Sequence, residues 1–480
     1  ARGAALLREA GLKPGDTALV FQPMSIDLYV ALVALFRVGI VAMFLDPSAG
    51  REHIARCCAL RAPDAFLGSP KAHLLRLLSS AVRRIPHQFA FGDFPVPGAT
   101  PWKRLATLTP SPAIETCGPE TPALLTFTSG STGQPKAAVR THGLLAAQHA
   151  ALEESIRLKP GEVDLTTLPI FALANLASGV TSIIPEGDLR KPGAIAPAPI
   201  IAQVRRHKPS RSGASPAFFE RLLSAGETFS EFDQLYTGGA PVFPILLDRM
   251  RTAAPNARVV AVYGSTEAEP IADIARDEMT DTDMAGMVQG KGLLAGVPEA
   301  CVQLRILRDQ WGTPVGPYTA ADLEANCVSP NEPGEIVVSG GHVLPGYLNG
   351  IGDEETKFRI DGTVWHRTGD TGYLDDMGRL WLLGRASAKI TDERGTLYPF
   401  AVECAARQQP GVRRAALALH DGKRILLLEA ESGATPPDLA ALRHTLIWAN
   451  LDDIRLWETI PMDKRHNAKV DYAALKKRLG

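Results

Sequence analysis

Residues 123–136 read Ala123-Leu124-Leu125-Thr126-Phe127-Thr128-Ser129-Gly130-Ser131-Thr132-Gly133-Gln134-Pro135-Lys136. An apolar strand, Ala123–Phe127, runs into a loop dense in hydroxyls and glycine, and a helical run opens near Thr141. Gly130 and Gly133 let the backbone turn tightly and aim N–H groups at phosphate oxygens. Thr128, Ser129, Ser131 and Thr132 add hydroxyl donors, and Lys136 adds a cation. A Walker A loop needs its lysine followed by Ser or Thr and a longer gap between glycines. Here Lys136 precedes Ala137 and only two residues separate Gly130 from Gly133, which excludes that loop. The competing reading is a solvated surface loop; Pro-Lys placed directly behind a buried strand and a Gly-x-x-Gly turn favours a phosphate cradle.

Outward from this loop the chain alternates. Strands are expected at Thr17–Phe21, Ile40–Leu45, Ala65–Leu67, Asp233–Tyr236 and Val259–Val262. Helices are expected at Ser25–Arg37, His53–Leu60, Pro199–His207, Ala217–Ala225 and Val242–Ala254. Strands and helices spaced in this way imply parallel, doubly wound sheets covered on both faces. Pro86 to Pro122 reads as a Pro-rich connection. Beyond about residue 286 short, Gly-punctuated strands follow at Val302–Leu307, Gly334–Val338, Gly372–Tyr373 and Leu380–Leu383, a β-rich texture. From Ala386 the chain becomes a compact α+β tail, with strands at Ala415–Leu419 and Ile425–Glu429 and helices at Pro437–Asn450 and from Asp471. The expected architecture is α/β: a large N-terminal domain over 1–385, with a β-rich subdomain over about 286–384, and a small α+β domain over 386–480.

The 480 residues suffice for several cores, and a net charge of −1 excludes a global field that would draw the chain to nucleic acid or an anionic surface. Six scattered cysteines form no CxxC pair and have no histidines at zinc-ligand spacing, so reduced thiols in the cytoplasm are expected. No signal peptide is evident, and the start at Ala1 suggests a removed upstream segment. The most apolar run, Leu28–Leu45, is interrupted by Arg37 and Gly39; a membrane span needs ~20 apolar residues, so none is expected.

The loop resembles the phosphate-binding signature of the superfamily that contains acyl- and aryl-CoA synthetases, luciferases and peptide-synthetase adenylation domains. The likeness continues in order along the chain. Gly238-Gly239-Ala240-Pro241 resembles that superfamily's adenine-binding turn, and Tyr263-Gly264-Ser265-Thr266-Glu267 its second nucleotide motif. There the tyrosine stacks on adenine, the threonine contacts the α-phosphate and the glutamate holds magnesium. Gly334-Glu335-Ile336 and Gly346-Tyr347 match a structural motif. Thr368-Gly369-Asp370 matches the motif whose aspartate binds both ribose hydroxyls, and Gly384-Arg385 the one whose arginine reaches the ribose. Glu267 follows a short strand, where a carboxylate can take a hard cation that bridges phosphates. Asp370 reads as lying in a Thr-Gly-Asp-Thr-Gly turn, where paired acceptors can grip a diol.

The tail refines the resemblance. The superfamily's C-terminal lysine, which contacts the α-phosphate during adenylation, is matched by Lys469, although Ala468 replaces the usual glycine and the segment from Pro461 is two residues longer. Arg465-His466-Asn467-Ala468-Lys469 is similar to the tail of bacterial olefin-biosynthesis synthetases that close β-hydroxy fatty acids into β-lactones. Leu168-Pro169-Ile170-Phe171-Ala172-Leu173 and Gly179-Val180-Thr181-Ser182-Ile183-Ile184-Pro185 look like that subgroup too, and no histidine lies between His149 and His207. At the hinge position, usually Asp or Lys, stands Ser387.

The resemblance implies an AMP-forming ligase that uses ATP and Mg2+ on a fatty acid or β-hydroxy fatty acid. Lys469, Thr266 and Glu267 would carry catalysis, Glu267 would hold the metal, and residues 386–480 would form a mobile lid. Other enzymes of a hydrocarbon-biosynthesis pathway are the expected partners. The alternatives are a long-chain acyl-CoA synthetase or acyl-AMP ligase with a thiol acceptor, and a catalytically dead nucleotide-binding protein. The dead protein predicts damage to the phosphate loop, Glu267, Asp370 or Lys469, and all are intact.

Overall fold

The computed structural model describes residues 1–45, 50–129, 135–463 and 469–480, without the side chains of Thr128 and Ser129. Two compact units emerge. One comprises Ala1–His149 with Leu344–Glu354, the other Ala150–Val343 with Glu355–Gly480.

The first unit is built on a seven-stranded sheet ordered Thr100–Pro101, His87–Ala90, Ala65–Gly68, Thr17–Phe21, Val41–Phe44, Pro122–Ser129, Pro135–Thr141. Every residue of the central strand Thr17–Phe21 is buried, as a parallel strand covered on both faces must be. Helix Ile26–Val38 starts where the Ser25 Oγ accepts from the Leu28 amide at 3.3 Å and stops at Gly39, whose φ of 73° ends it in a left-handed turn. Leu19, Met43, Phe66 and Leu125 meet in this unit's core. The Pro-rich connection carries more structure than its composition shows. It forms two parallel strands, the outer of which, Thr100–Pro101, is a sheet edge, and a 3-10 turn that buries Trp102 against Phe91.

The helical run expected near Thr141 starts at His142. The stretch before it, Pro135–Thr141, for which the sequence suggests no element, forms an antiparallel strand on Pro122–Ser129. The returning strand is the sheet edge, the place in a sheet that tolerates a proline such as Pro135. Arg140 fixes the pair by donating to the Thr126 hydroxyl at 2.6 Å.

In the second unit Thr181–Ile183, Val163–Thr166, Arg211–Ala214, Gln234–Gly238 and Arg258–Ser265 run parallel. The hydrogen-bonded path then continues antiparallel through Ala268–Ala275, Leu293–Pro298, Leu380–Arg385, Thr363–Leu374, Gly334–Ser339 and Gln303–Leu307. The β-rich texture after residue 286 is thus the antiparallel half of one long sheet.

Val412–His420, Lys423–Ala430 and Asp453–Trp457 make a separate three-stranded sheet. Asp421 and Gly422, both at positive φ, close its two-residue hairpin. The helix read over Pro437–Asn450 is shorter: Asp438 accepts from the Ala440 and Ala441 amides, so the helix is Leu439–Thr445, followed by a 3-10 turn over Ile447–Ala449. Cys57 and Cys58 in the first unit and Cys404 in the second are buried free thiols. Among the described residues no helix is long and apolar enough to cross a membrane.

Candidate active site

The strongest local signal in the sequence is described only at its ends. Gly130, Ser131, Thr132, Gly133 and Gln134 lie outside the described residues. Thr128 pairs across the hairpin with Lys136, and Ser129 with Pro135. Lys136 is 7% exposed and packs against Gly352, where a β-carbon would sit 2.5 Å from Lys136 Cδ and 2.8 Å from its Nζ. Only glycine, at a φ of +95°, leaves room for that lysine. The Gly346-Tyr347 motif packs on the same hairpin through a bridge between Ala138 and Tyr347, and the Tyr347 amide donates to Asp353 Oδ1 at 2.8 Å.

Most of the other predicted residues line a cleft within the second unit, although Thr266, Glu267 and Ser387 are not among its lining residues. Gly239, Ala240 and Pro241 line it directly after strand Gln234–Gly238. Gly238 allows the adjoining strand to come close, since a β-carbon there would lie 2.6 Å from the Val262 carbonyl oxygen. Tyr263, Gly264 and Ser265 end the neighbouring strand and line the same cleft. The chain then reverses in two residues, Thr266 and Glu267, because Ser265 pairs with Ala268. The Ser265 hydroxyl stabilises this reversal, accepting from the Glu267 amide at 3.3 Å and the Ala268 amide at 3.2 Å.

Asp370 is the centre of the cluster. Its Oδ2 accepts from the Tyr263 hydroxyl at 2.9 Å, and its Oδ1 accepts from Arg385 Nη1 at 3.1 Å. Asp370 does not occupy a turn, as its Thr-Gly surroundings suggested; it lies inside strand Thr363–Leu374, directly opposite Arg385 on Leu380–Arg385. Gly369 at φ +74° twists the strand there without ending it, and the ladder shifts register between Thr371 and Gly372. Each carboxylate oxygen accepts one protein hydrogen bond and keeps a lone pair for another, which is the pattern a vicinal diol needs. Burial first, and the Asp370 charge second, push the Tyr263 phenol well above its ordinary pKa. It therefore stays protonated and donates. The Arg385 guanidinium is raised chiefly by Asp370, with Glu267 contributing more weakly.

Lys469 also lines the cleft. It is exposed and forms a paired base with Asp463; residues 464–468 between the two, including Arg465, His466, Asn467 and Ala468, lie outside the described residues. The base is held by Lys469 N–H donating to Asp463 Oδ1 at 2.9 Å, Asp463 N–H to the Lys469 carbonyl at 2.8 Å, and a bridge between Met462 and Val470. Beyond it, Tyr472 donates its hydroxyl to Glu403 Oε1 at 2.7 Å. Ser387 is exposed within the 3-10 turn Ala386–Ala388.

Sequence reasoning missed Glu403, Arg407, Phe243, Phe400 and Tyr472, all of which line this cleft. Burial pushes the Glu403 carboxyl up to about 7, even though the Leu417 amide also donates to Oε1 at 2.9 Å. Arg407 stacks over Phe243 at 4.0 Å and reaches Glu220 at 3.6 Å. The signal was present. In helix Pro399–Arg407 a glutamate and an arginine one helical turn apart sit among Ala, Val and Cys, a setting in which most charges would be out of place.

A magnesium ion would find hard oxygen donors at the reversal: the Glu267 carboxylate and the Thr266 hydroxyl. Among the described residues no cluster of three or more His, Cys, Asp or Glu could hold a metal. That donor set suits an ion bound by one carboxylate together with substrate phosphates.

A profile of the AMP-binding enzyme family matches residues 1–348. An olefin beta-lactone synthetase of Stenotrophomonas maltophilia (strain K279a) is 31% identical over 490 aligned residues, covering 97% of this chain and 87% of its own. One from Xanthomonas campestris pv. campestris is 30% identical, over 96% of this chain and 85% of its own. Among solved structures, an amide bond synthetase from Marinactinospora thermotolerans superposes with a TM-score of 0.80 at 21% identity, covering all of this chain and 93% of that one. The o-succinylbenzoate CoA synthetase of Bacillus subtilis, in complex with its acyl-adenylate intermediate, does so at 0.73 and 20%, over 99% and 91% of the two chains. The structural likenesses establish the fold.

Proposed function

We propose, because the chain belongs to the AMP-binding enzyme family and is an AMP-forming ligase, that it activates a β-hydroxy fatty acid with ATP and closes the product to a β-lactone. The observation that carries the adenylation half is the cluster of Tyr263, Asp370 and Arg385 in one cleft with Lys469. Asp370 and Arg385 hold the ribose diol, Tyr263 lies against adenine beside Gly239, Ala240 and Pro241, and the Thr128–Lys136 loop supplies phosphate donors. Glu267 would hold magnesium, which would supply positive charge that offsets the repulsion between carboxylate and phosphate.

In the first step a carboxylate oxygen attacks the α-phosphorus, and the bond to pyrophosphate breaks. Lys469 stabilises the charge that grows there, and Thr266 contacts the α-phosphate. In the second step the substrate's β-hydroxyl oxygen attacks the acyl carbon of the mixed anhydride. The hydroxyl proton is lost, AMP leaves, and a four-membered lactone forms. Proximity within one substrate replaces an external acceptor. Support for this half comes from the lactone synthetases at 31% and 30% identity and from the Leu168–Leu173 and Gly179–Pro185 stretches. These fold as helix Pro169–Ala177 and strand Thr181–Ile183, with Phe171 packed over Gly213.

Residues 386–480 act in this reading as a lid that turns about Ser387. Their own three-stranded sheet and their own apolar clusters, around Val402 with Leu426 and around Ala416 with Leu475, support it. The enzyme would work in the cytoplasm and pass its lactone to another enzyme of hydrocarbon biosynthesis.

The test is mass spectrometry of products from ATP, magnesium and a racemic β-hydroxy fatty acid, with and without CoA. AMP and a lactone should form without CoA, and a plain fatty acid should give at most slow release of acyl-AMP. Steady turnover that requires CoA and yields a thioester would overturn lactone closure while leaving adenylation standing.

A further inference from the structure

The connection between strands Ala65–Gly68 and His87–Ala90 combines two features that a water-facing helical turn rarely shows together. Leu74, Leu77 and Leu78 are 57%, 74% and 57% exposed, while Leu75, Val82 and Ile85 turn inward onto the first unit's core. Single exposed leucines are ordinary, but three within five residues are a patch. Arg76 donates to the Pro97 carbonyl at 2.9 Å, tying to this turn the loop that carries Phe94, itself 77% exposed.

The charge around the patch is predominantly positive. Between Asp64 and Asp93 there is no carboxylate, whereas Lys71, Arg76, Arg83 and Arg84 lie in that interval, with Lys71, Arg83 and Arg84 exposed. Helix Gly50–Leu60, which packs on helix Ser80–Arg83, adds exposed Arg51 and Arg56 against a single Glu52. Asp93 is drawn towards Lys103, at 3.5 Å. The chain as a whole is nearly neutral, so this concentration of cations is local.

From this coincidence of apolar side chains and an excess of cations we infer that the surface carrying Leu74, Leu77, Leu78 and Phe94 docks on an anionic lipid surface. The leucines enter the acyl boundary, and Lys71, Arg83 and Arg84 keep their heads at the phosphates while their stems lie along the interface. A second copy of the chain is disfavoured on the same face, because a two-fold contact would set these cations against one another. The inference does not depend on which acid the enzyme activates.

The experiment is co-sedimentation of the full chain with vesicles of phosphatidylcholine containing about 30 mol% phosphatidylglycerol, beside vesicles of phosphatidylcholine alone. Binding is expected to the anionic vesicles only, and to be lost in about 0.5 M salt, which screens surface charge. Leu74→Ser, Leu77→Ser and Leu78→Ser combined should weaken it about tenfold or more. Arg83→Gln and Arg84→Gln should weaken it about fivefold each. Thermal melting checks that the variants remain folded. No sedimentation of wild type with anionic vesicles, or equal sedimentation of wild type and the leucine variant, overturns the inference. So does sedimentation velocity showing a wild-type dimer that the leucine substitutions convert to monomer, since the face would then be a self-interface.

Discussion

Arg367 and Asp370 share strand Thr363–Leu374, and each is joined to an opposite charge on a neighbouring strand, yet the two pairs are finished to different degrees. Arg367 is 2% exposed and Glu335 fully buried. They meet by two parallel bonds of 2.6 and 2.8 Å, with further donation from Arg367 to the Thr313 and Gln310 carbonyls and its guanidinium over Trp311 at 5.2 Å. At Asp370 and Arg385 there is one contact of 3.1 Å, and the arginine side chain is 52% exposed. The same chemistry therefore serves two ends. A pair whose lone pairs and protons are nearly all used holds the sheet; a pair left half-used, one strand-turn away and at the rim of a cleft, is available to a ligand.

The comparison breaks most visibly at the closed pair. Arg367→Leu strands the Glu335 charge in the interior, and urea unfolding should show a loss of about 3–5 kcal/mol. Glu403 sharpens the rule, because it is a buried carboxyl with hydrogen bonds but no bidentate arginine. Its folded pKa of about 7 lies above the ordinary 4.5, so the native state holds the extra proton between those values. The stability it contributes is complete below pH 4.5 and is lost as pH rises through 7. In Glu403→Gln that loss should vanish, and wild type and variant should diverge by roughly 3 kcal/mol between acid and mildly alkaline pH.

At the open pair the effects move from stability to binding. Asp370→Ala should weaken ATP binding about 10–100-fold, the worth of hydrogen bonds to a charged group, with a smaller change in kcat and little change in melting temperature. A collapsed kcat at unchanged KM for ATP would deny Asp370 the ribose grip. Tyr263→Phe removes one donor from Oδ2 but keeps the ring, and should cost only about 1 kcal/mol, or about fivefold in ATP affinity.

Much of this was legible in the sequence. Thr17–Phe21 was read to the residue, and Ser25 and Gly39 punctuate the first long helix where local chemistry puts them. What escaped were features decided by partners distant in sequence. The strand Pro135–Thr141 exists because Pro122–Ser129 offers it an edge, and nothing in Lys-Ala-Ala-Val-Arg-Thr announces that. Asp370 looked like a turn residue because Thr-Gly flanks it on both sides, and only its pairing with Arg385 shows a strand bent by Gly369. Motif residues in the cleft, such as Tyr263 and Arg385, were singled out because the short motifs around them resemble those of a known superfamily in the same order along the chain. Glu403 and Tyr472 were not, because their meaning lies in a contact spanning sixty-nine positions.

The buried thiols give the molecule a pair of internal clocks. Burial raises Cys57 to about 12 and Cys58 to about 11 in the first unit, and Cys404 to about 12 in the second. At pH 8 only on the order of 10⁻³ to 10⁻⁴ of each is thiolate, so an alkylating reagent reaches them essentially when the surrounding structure opens. Exposed Cys301 needs no such opening and marks the start of the count, although burial of part of its side chain and the nearby Glu299 raise its thiol too. If Cys57 and Cys58 are alkylated in step with Cys404 as denaturant is raised, the chain opens as one cooperative body. If one set runs ahead, the two units keep separate time.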